Sequence, residues 1–159
     1  MNFRTLVFAV SLFFGFFANA QLTMHKMAHA GYVYQNGSFG TLGATLLFLE
    51  NDDVVYRGNA AVMLGAANGK FAVMPKVQGD VLINFERGVD FYHAYYFLAG
   101  AEATTKYFAP KVGATLAGII DVTGGYAFPI GKLNGQQMKG LNINVALNVP
   151  IVLIKEYLK

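Results

Sequence analysis

The stretch Leu141–Leu153 reads LNINVALNVPIVL, and every odd position in it is aliphatic: Leu141, Ile143, Val145, Leu147, Val149, Ile151 and Leu153. Asn142, Asn144, Ala146 and Asn148 stand between them. Strand side chains point alternately to opposite faces, so this pattern predicts a strand with one aliphatic face and one amide face. A helix would scatter both classes around its circumference. The question is which face is buried.

The same period recurs upstream. From Phe71 the odd positions are Phe71, Val73, Pro75, Val77, Gly79, Val81, Ile83 and Phe85, while Lys76, Gln78, Asp80, Asn84 and Glu86 occupy the other parity. A slip of one residue would carry those charges to the apolar side, so the register is strongly specified. Turn signals cut the chain into further segments of this kind. Asn36-Gly37 and Asn68-Gly69 suit two-residue type I′ hairpins, in which both central residues need positive φ. Asn51-Asp52-Asp53 and Arg87-Gly88-Val89-Asp90 mark two more turns. The resulting expectation is eight strands, at about 28–35, 38–49, 54–67, 70–86, 89–105, 107–120, 122–130 and 140–154. Only GKLNGQQMKG is a connection of any length, so the topology reads as an antiparallel up-and-down meander.

The first twenty residues are of a different kind. MNFRTLVFAVSLFFGFFANA has Arg4 in a short positive region, an apolar run from Leu6 to Phe17, and Ala18-Asn19-Ala20 as a small-x-small cleavage site. This is the layout of a secretory signal peptide, and the apolar run is short of the roughly 20 residues of a membrane helix. The expected organisation is a signal peptide at 1–20, a periplasmic leader at 21–27 and a β-barrel at 28–159.

Composition limits the function classes. Twelve Lys and Arg become eleven once Arg4 is set aside, against nine Asp and Glu, a balance too even for a nucleic-acid surface. There is no cysteine, hence no disulfide framework and no thiolate chemistry. Beyond the leader, no run of eighteen apolar residues offers a transmembrane helix.

Two observations place the aliphatic rows outside. The expected strands are longer than the usual five or six residues, yet suit a tilted crossing of a bilayer. Aromatics gather towards strand ends, at Tyr32, Tyr34, Phe71, Phe85, Phe91, Tyr92, Tyr95, Tyr107, Phe108, Tyr126, Phe128 and Tyr157, as interfacial girdles require. The chain thus resembles the small eight-stranded outer-membrane β-barrels of Gram-negative bacteria, the OmpX/OmpA-transmembrane type. Such barrels finish on a terminal aromatic, whereas here the chain ends IKEYLK. The fold expected is all-β: an antiparallel up-and-down eight-stranded transmembrane β-barrel preceded by a cleaved signal peptide.

In that arrangement Val77, Val81, Ile83, Leu141, Ile143, Val145, Leu147 and Val149 face lipid. The inward polar network comprises Arg57, Lys76, Lys106 and Lys111, with Asp80, Glu86, Glu102 and Asp121, four charges of each sign, together with Asn142 and Asn144. Buried charges must be paired, so the network reads as structural. An eight-stranded barrel leaves an interior just wide enough for side chains, which weighs against an open pore.

A catalytic inventory is poor. Beyond the signal peptide the chain has one serine, Ser38, and three histidines, His25, His29 and His93. His93, in FYHAYY, lacks the neighbouring serine of the His-x-Ser deacylase pattern, and reads as a girdle residue. His25 and His29 would share a face only if the leader were helical, and no third metal ligand is near, so no metal site is expected. Asn36-Gly37-Ser38 matches a glycosylation sequon but reads as turn chemistry. The functional expectation is an outer-membrane protein with a filled polar lumen and a structural or envelope-maintenance role. It has no cofactor; its partners are outer-membrane lipid and, during biogenesis, the barrel assembly machinery. Two alternatives remain: a soluble periplasmic lipocalin-like barrel that binds an apolar ligand, with the aliphatic row inside, and a lipid A-modifying barrel enzyme.

Overall fold

In a computed structural model the described residues are 23–49, 53–86, 88–89 and 94–152. The expected signal peptide at 1–20 lies outside them, as do Phe91, Tyr92, His93, Leu153 and Tyr157. The chain forms β1 (Thr23–Gln35), β2 (Ser38–Leu49), β3 (Val54–Ala67), β4 (Lys70–Asn84), β5 (Tyr95–Thr104), β6 (Tyr107–Leu116), β7 (Ile120–Pro129), β8 (Lys132–Leu133), β9 (Gln136–Gln137) and β10 (Gly140–Pro150). Eight of these close into an antiparallel barrel in the order β1, β10, β7, β6, β5, β4, β3, β2, while β8 and β9 make a separate small hairpin. The barrel is the expected eight-stranded up-and-down meander.

Turn chemistry sets the registers. Asn68 (φ 51°) and Gly69 (φ 71°) both hold the left-handed backbone that a type I′ turn demands. Residues symmetric about that turn pair, so Arg57 faces Asp80 and Ala60 faces Val77. At Asn36-Gly37 the expectation holds only in part: Asn36 has φ 49°, but Gly37 does not share the positive φ. A third Asn-Gly, Asn134-Gly135, turns the β8–β9 hairpin with both φ values positive (50° and 83°).

Several boundaries differ from the sequence expectation, among them the last strand, expected to run to 154, which stops at Pro150 because Ile151 and Val152 leave the sheet. β1 begins at Thr23, so the segment read as a leader supplies wall strand instead, with Met27 pairing Pro150 on one side and Thr45 on the other. β4 stops at Asn84 and β5 starts only at Tyr95. The β6–β7 turn begins at Ala117, which with Gly118 adopts positive φ, so β7 gains Ile120 and Asp121.

A closed eight-stranded sheet coils tightly, and glycine relieves the crowding where strands approach most closely. An added Cβ at Gly43 would run into the Ala60 carbonyl oxygen, and one at Gly113 into that of Val122. Both positions have inward parity, where a side chain has least room.

The two faces of the wall are sharply different. Phe71 (74% exposed), Val77, Leu141, Val145 and Leu147 stand on the outside, while Arg57, Asp80, Lys111 and Asp121 are buried within. The inside is itself layered. At the rim that holds the ends of β1 and β10, here the lower rim, Met27, Leu47, Val55, Leu82, Tyr96 and Leu98 form an apolar plug. At the upper rim, which carries the Asn36-Gly37 and Asn68-Gly69 turns, Val33, Phe39, Met63, Met74 and Tyr107 form another, closed over by Leu133 and Met138 of the hairpin segment. The polar residues lie between these plugs.

Candidate functional site

The lumen between the plugs is the chemically distinctive part of the molecule. Its first centre is Arg57 on β3. The guanidinium Nη2 lies 2.9 Å from Asp80 Oδ2 on the adjacent strand, and Nη1 lies 2.9 Å from Asp121 Oδ1 on β7, across the barrel. One planar cation thus joins two carboxylates, a geometry suited to the guanidinium fork. Gln78 donates to Asp80 Oδ2 at 2.8 Å.

The second centre is Glu102 on β5, fully buried. Lys76 and Lys111 approach its Oε2 at 3.1 and 2.6 Å. The Tyr107 hydroxyl and the Asn142 amide each donate to Oε1 at 2.8 Å. Four donors around one carboxylate satisfy its lone pairs, which a buried anion requires. Asn144 extends the chain by donating to Asn142 Oδ1 at 2.6 Å.

Gln78 links the two centres. Its amide nitrogen serves Asp80, while its oxygen accepts from Lys111 Nζ at 3.2 Å. From Asp121 the network continues through Asn148, whose amide nitrogen donates to Oδ2 at 2.8 Å, to His29 Nδ1 and to Thr45. Asn59 donates in turn to Thr45, at 2.7 Å. Arg57, Lys76 and Lys111 balance Asp80, Glu102 and Asp121, so the described buried side chains carry three charges of each sign.

Of the ten polar positions picked from sequence, eight lie buried in this network: Arg57, Lys76, Asp80, Glu102, Lys111, Asp121, Asn142 and Asn144. Glu86 and Lys106 do not join them. Glu86 stands exposed beyond the end of β4, and Lys106 is half-buried in the β5–β6 turn, because both strands end short of these residues. The eight aliphatic positions all fall on the outer face, with Val81 and Val149 partly covered and the others exposed. The lipocalin-like alternative requires that row inside, and the barrel places it outside.

Several members lie outside those ten positions, Gln78, Thr41, Thr45 and Asn59 among them. His29, Gln35, Asn148 and Tyr107 are buried, and each donates to or accepts from the network. His29 is the clearest case: on the first strand, next to the expected leader, it lies inside the barrel between Asn148 and Thr41. The signal was parity, since His29 shares it with Met27, Val33 and Gln35 on the inner face of β1.

Thr41, His29 and Asn148 have the connectivity of a nucleophile, a base and an orienting amide, with Thr41 Oγ1 3.1 Å from His29 Nε2. All three are buried in the lumen. Among the described residues no three His, Asp or Glu side chains are grouped to hold a metal ion. No helix among them is long and apolar enough to cross a membrane, which says nothing of strands. No protein-family model, no curated protein and no solved structure matches this chain.

Proposed function

We propose that this chain is an outer-membrane β-barrel protein with a filled lumen, serving a structural or envelope-maintenance role and not an enzymatic one. One observation carries the reading: the wall turns its aliphatic and aromatic side chains outward and buries its charges within. In water that distribution would expose a continuous apolar belt, which soluble monomers avoid. In a bilayer it is the favourable one, because closure pairs every wall strand and leaves no open edge in hydrocarbon. Exposed aromatics at both ends of the belt, Tyr32, Phe71, Phe108 and Phe128 above and Tyr56, Phe85 and Tyr95 below, support it as interfacial girdles. On this reading residues 1–20 act as the export signal, the assembly machinery inserts the barrel, and membrane lipid is its principal partner.

The test is fractionation of a Gram-negative host that expresses the full chain, followed by gel electrophoresis with and without boiling. The protein is expected in the outer-membrane fraction, with faster mobility before boiling, since a closed barrel resists detergent until heated. Recovery as a soluble periplasmic protein with unchanged mobility overturns the reading.

A further inference from the structure

The two rims of the barrel differ in charge. The upper connections are Asn36-Gly37, Asn68-Gly69, Thr105-Lys106 and the segment from Ile130 to Lys139, all of them described. They and the adjoining strand ends carry Lys70, Lys106, Lys132 and Lys139, and no exposed Asp or Glu. Of the chain's nine acids, Asp80, Glu102 and Asp121 are sealed in the lumen, and Asp53 and Glu86 lie at the lower rim. Glu50, Asp52, Asp90 and Glu156 lie outside the described residues, and none falls in an upper connection.

The β8–β9 hairpin gathers these lysines. The Lys106 carbonyl accepts from Ile130 N–H at 2.8 Å and Gly131 N–H at 3.0 Å, which ties the residue before Lys132 to the β5–β6 turn. At the hairpin tip, Asn134 Nδ2 donates to the Lys70 carbonyl at 3.3 Å, and Gln136 accepts from Asn68 N–H at 3.0 Å. The hairpin therefore spans the rim from the turn bearing Lys106 to the turn bearing Lys70, with Lys132 on its first arm and Lys139 two residues past its second. Lys70, Lys132 and Lys139 are exposed and Lys106 is half-buried. Among the described residues none of the four forms an ion pair. Four uncompensated cations on one rim repel one another, and an anionic surface would relieve that repulsion.

Directly below them the outer wall presents Tyr32, Phe71, Phe108, Tyr126 and Phe128, all exposed. Cations immediately above an aromatic girdle stand at the height where lipid headgroups begin, and long lysine stems can reach along the apolar wall while keeping the ammonium in the polar layer.

We propose that the upper rim binds the phosphate-bearing headgroups of an anionic membrane leaflet through Lys70, Lys106, Lys132 and Lys139. The inference rests on the membrane reading above and adds to it a lipid class and a direction: the upper rim faces the more anionic leaflet.

The experiment is native mass spectrometry of the barrel released from nanodiscs of phosphatidylcholine with phosphatidylglycerol as the minor component. Retained phosphatidylglycerol is expected to be enriched about tenfold over its share of the bilayer, in line with lysine attraction to anionic surfaces. The enrichment is expected to fall as salt is raised before release. The fourfold variant Lys70→Gln, Lys106→Gln, Lys132→Gln, Lys139→Gln should enter the discs with its heat-modifiable mobility intact and lose the enrichment. If that variant fails to fold, the hairpin pair Lys132→Gln, Lys139→Gln must lower it. Equal retention of both lipids by the unaltered protein overturns the inference and leaves the membrane reading standing. So does enrichment that survives the substitutions, or binding of inorganic phosphate in detergent without lipid preference. Failure of the unaltered barrel to enter discs of any composition overturns the membrane reading and this inference with it.

Discussion

Asn148 Nδ2 lies 2.8 Å from Asp121 Oδ2, and a carboxylate can only accept, so this contact fixes which way the Asn148 amide points. Its oxygen is thereby committed to His29 Nδ1, 2.8 Å away, which must carry the proton. Nε2 is left as an acceptor for the Thr41 hydroxyl. The expected tautomer of His29 is Nδ1–H, read by nitrogen NMR of histidine-labelled protein. Thr41→Val should leave Nε2 without its donor and cost about 1–3 kcal/mol, measured by urea unfolding in detergent. An Nε2–H tautomer would show that the relay from Asp121 is not formed.

Glu102 holds two ammonium groups and two neutral donors. Glu102→Gln keeps the shape but strands Lys76 and Lys111 in the lumen, and should destabilise the barrel by about 3–5 kcal/mol, the cost of breaking a buried pair from one side. Replacing both lysines by Met in the same chain should recover most of that loss, since neutral packing removes the stranded charges. Unfolding midpoints of the three proteins decide it; a neutral Glu102→Gln would mean that the lumen screens charge as water does.

The two faces of β10 give a paired test. Val145→Arg puts a cation among the outward aliphatics, and in a bilayer should cost about 2–4 kcal/mol if Val145 lies near the midplane. Asn144→Val takes away the donor that Asn142 Oδ1 accepts from, and should cost about 1–3 kcal/mol. Folding into lipid vesicles should be impaired by both. An Asn144→Val protein that is fully stable, soluble without detergent and indifferent to lipid would refute the membrane reading.

Conductance follows from the layering of the interior. The Met27, Leu47, Leu82 and Leu98 cluster and the Phe39, Met63, Met74 and Met138 cluster put buried apolar side chains at either end of the lumen. Purified protein in planar bilayers is expected to show no sustained open channel, and steady large conductance would contradict the closed interior.

Strand number, meander order and the outward parity of β4 and β10 were legible because a period of two over a long segment admits one register. The Arg57–Asp80 pair was within reach as well, since both residues are equidistant from the Asn68-Gly69 turn. Arg57–Asp121 was not: it depends on how far strands shear on closing, which no local pattern encodes. The start of β1 was missed because Lys26 and His25 interrupt the apolar rhythm near a rim, where exposed polar residues are tolerated. The plugs were missed for a related reason. Leu47, Leu82 and Leu98 are apolar yet share the parity of the charges, and a rule that assigns faces by polarity misplaces them, whereas carrying parity through the whole strand does not. Asn134-Gly135 stood in the sequence as a hairpin signal inside what was read as plain connection.

Six of the eight pairings in the wall join strands consecutive in the chain, and β10 makes the other two, with β7 across the small hairpin and with β1 at more than a hundred residues' separation. The barrel can therefore grow as successive hairpins, but its last step is a long-range one, and such steps slow folding. Until β10 arrives, the sheet has two unpaired edges open to other chains. The interior is incomplete as well, for Glu102 lacks Asn142 and Asp121 lacks Asn148. Sealing the backbone seam and completing both carboxylate shells are thus one event, so a chain stopped before β10 would carry exposed edges and unsatisfied buried charge at once, and quality control could recognise it by either.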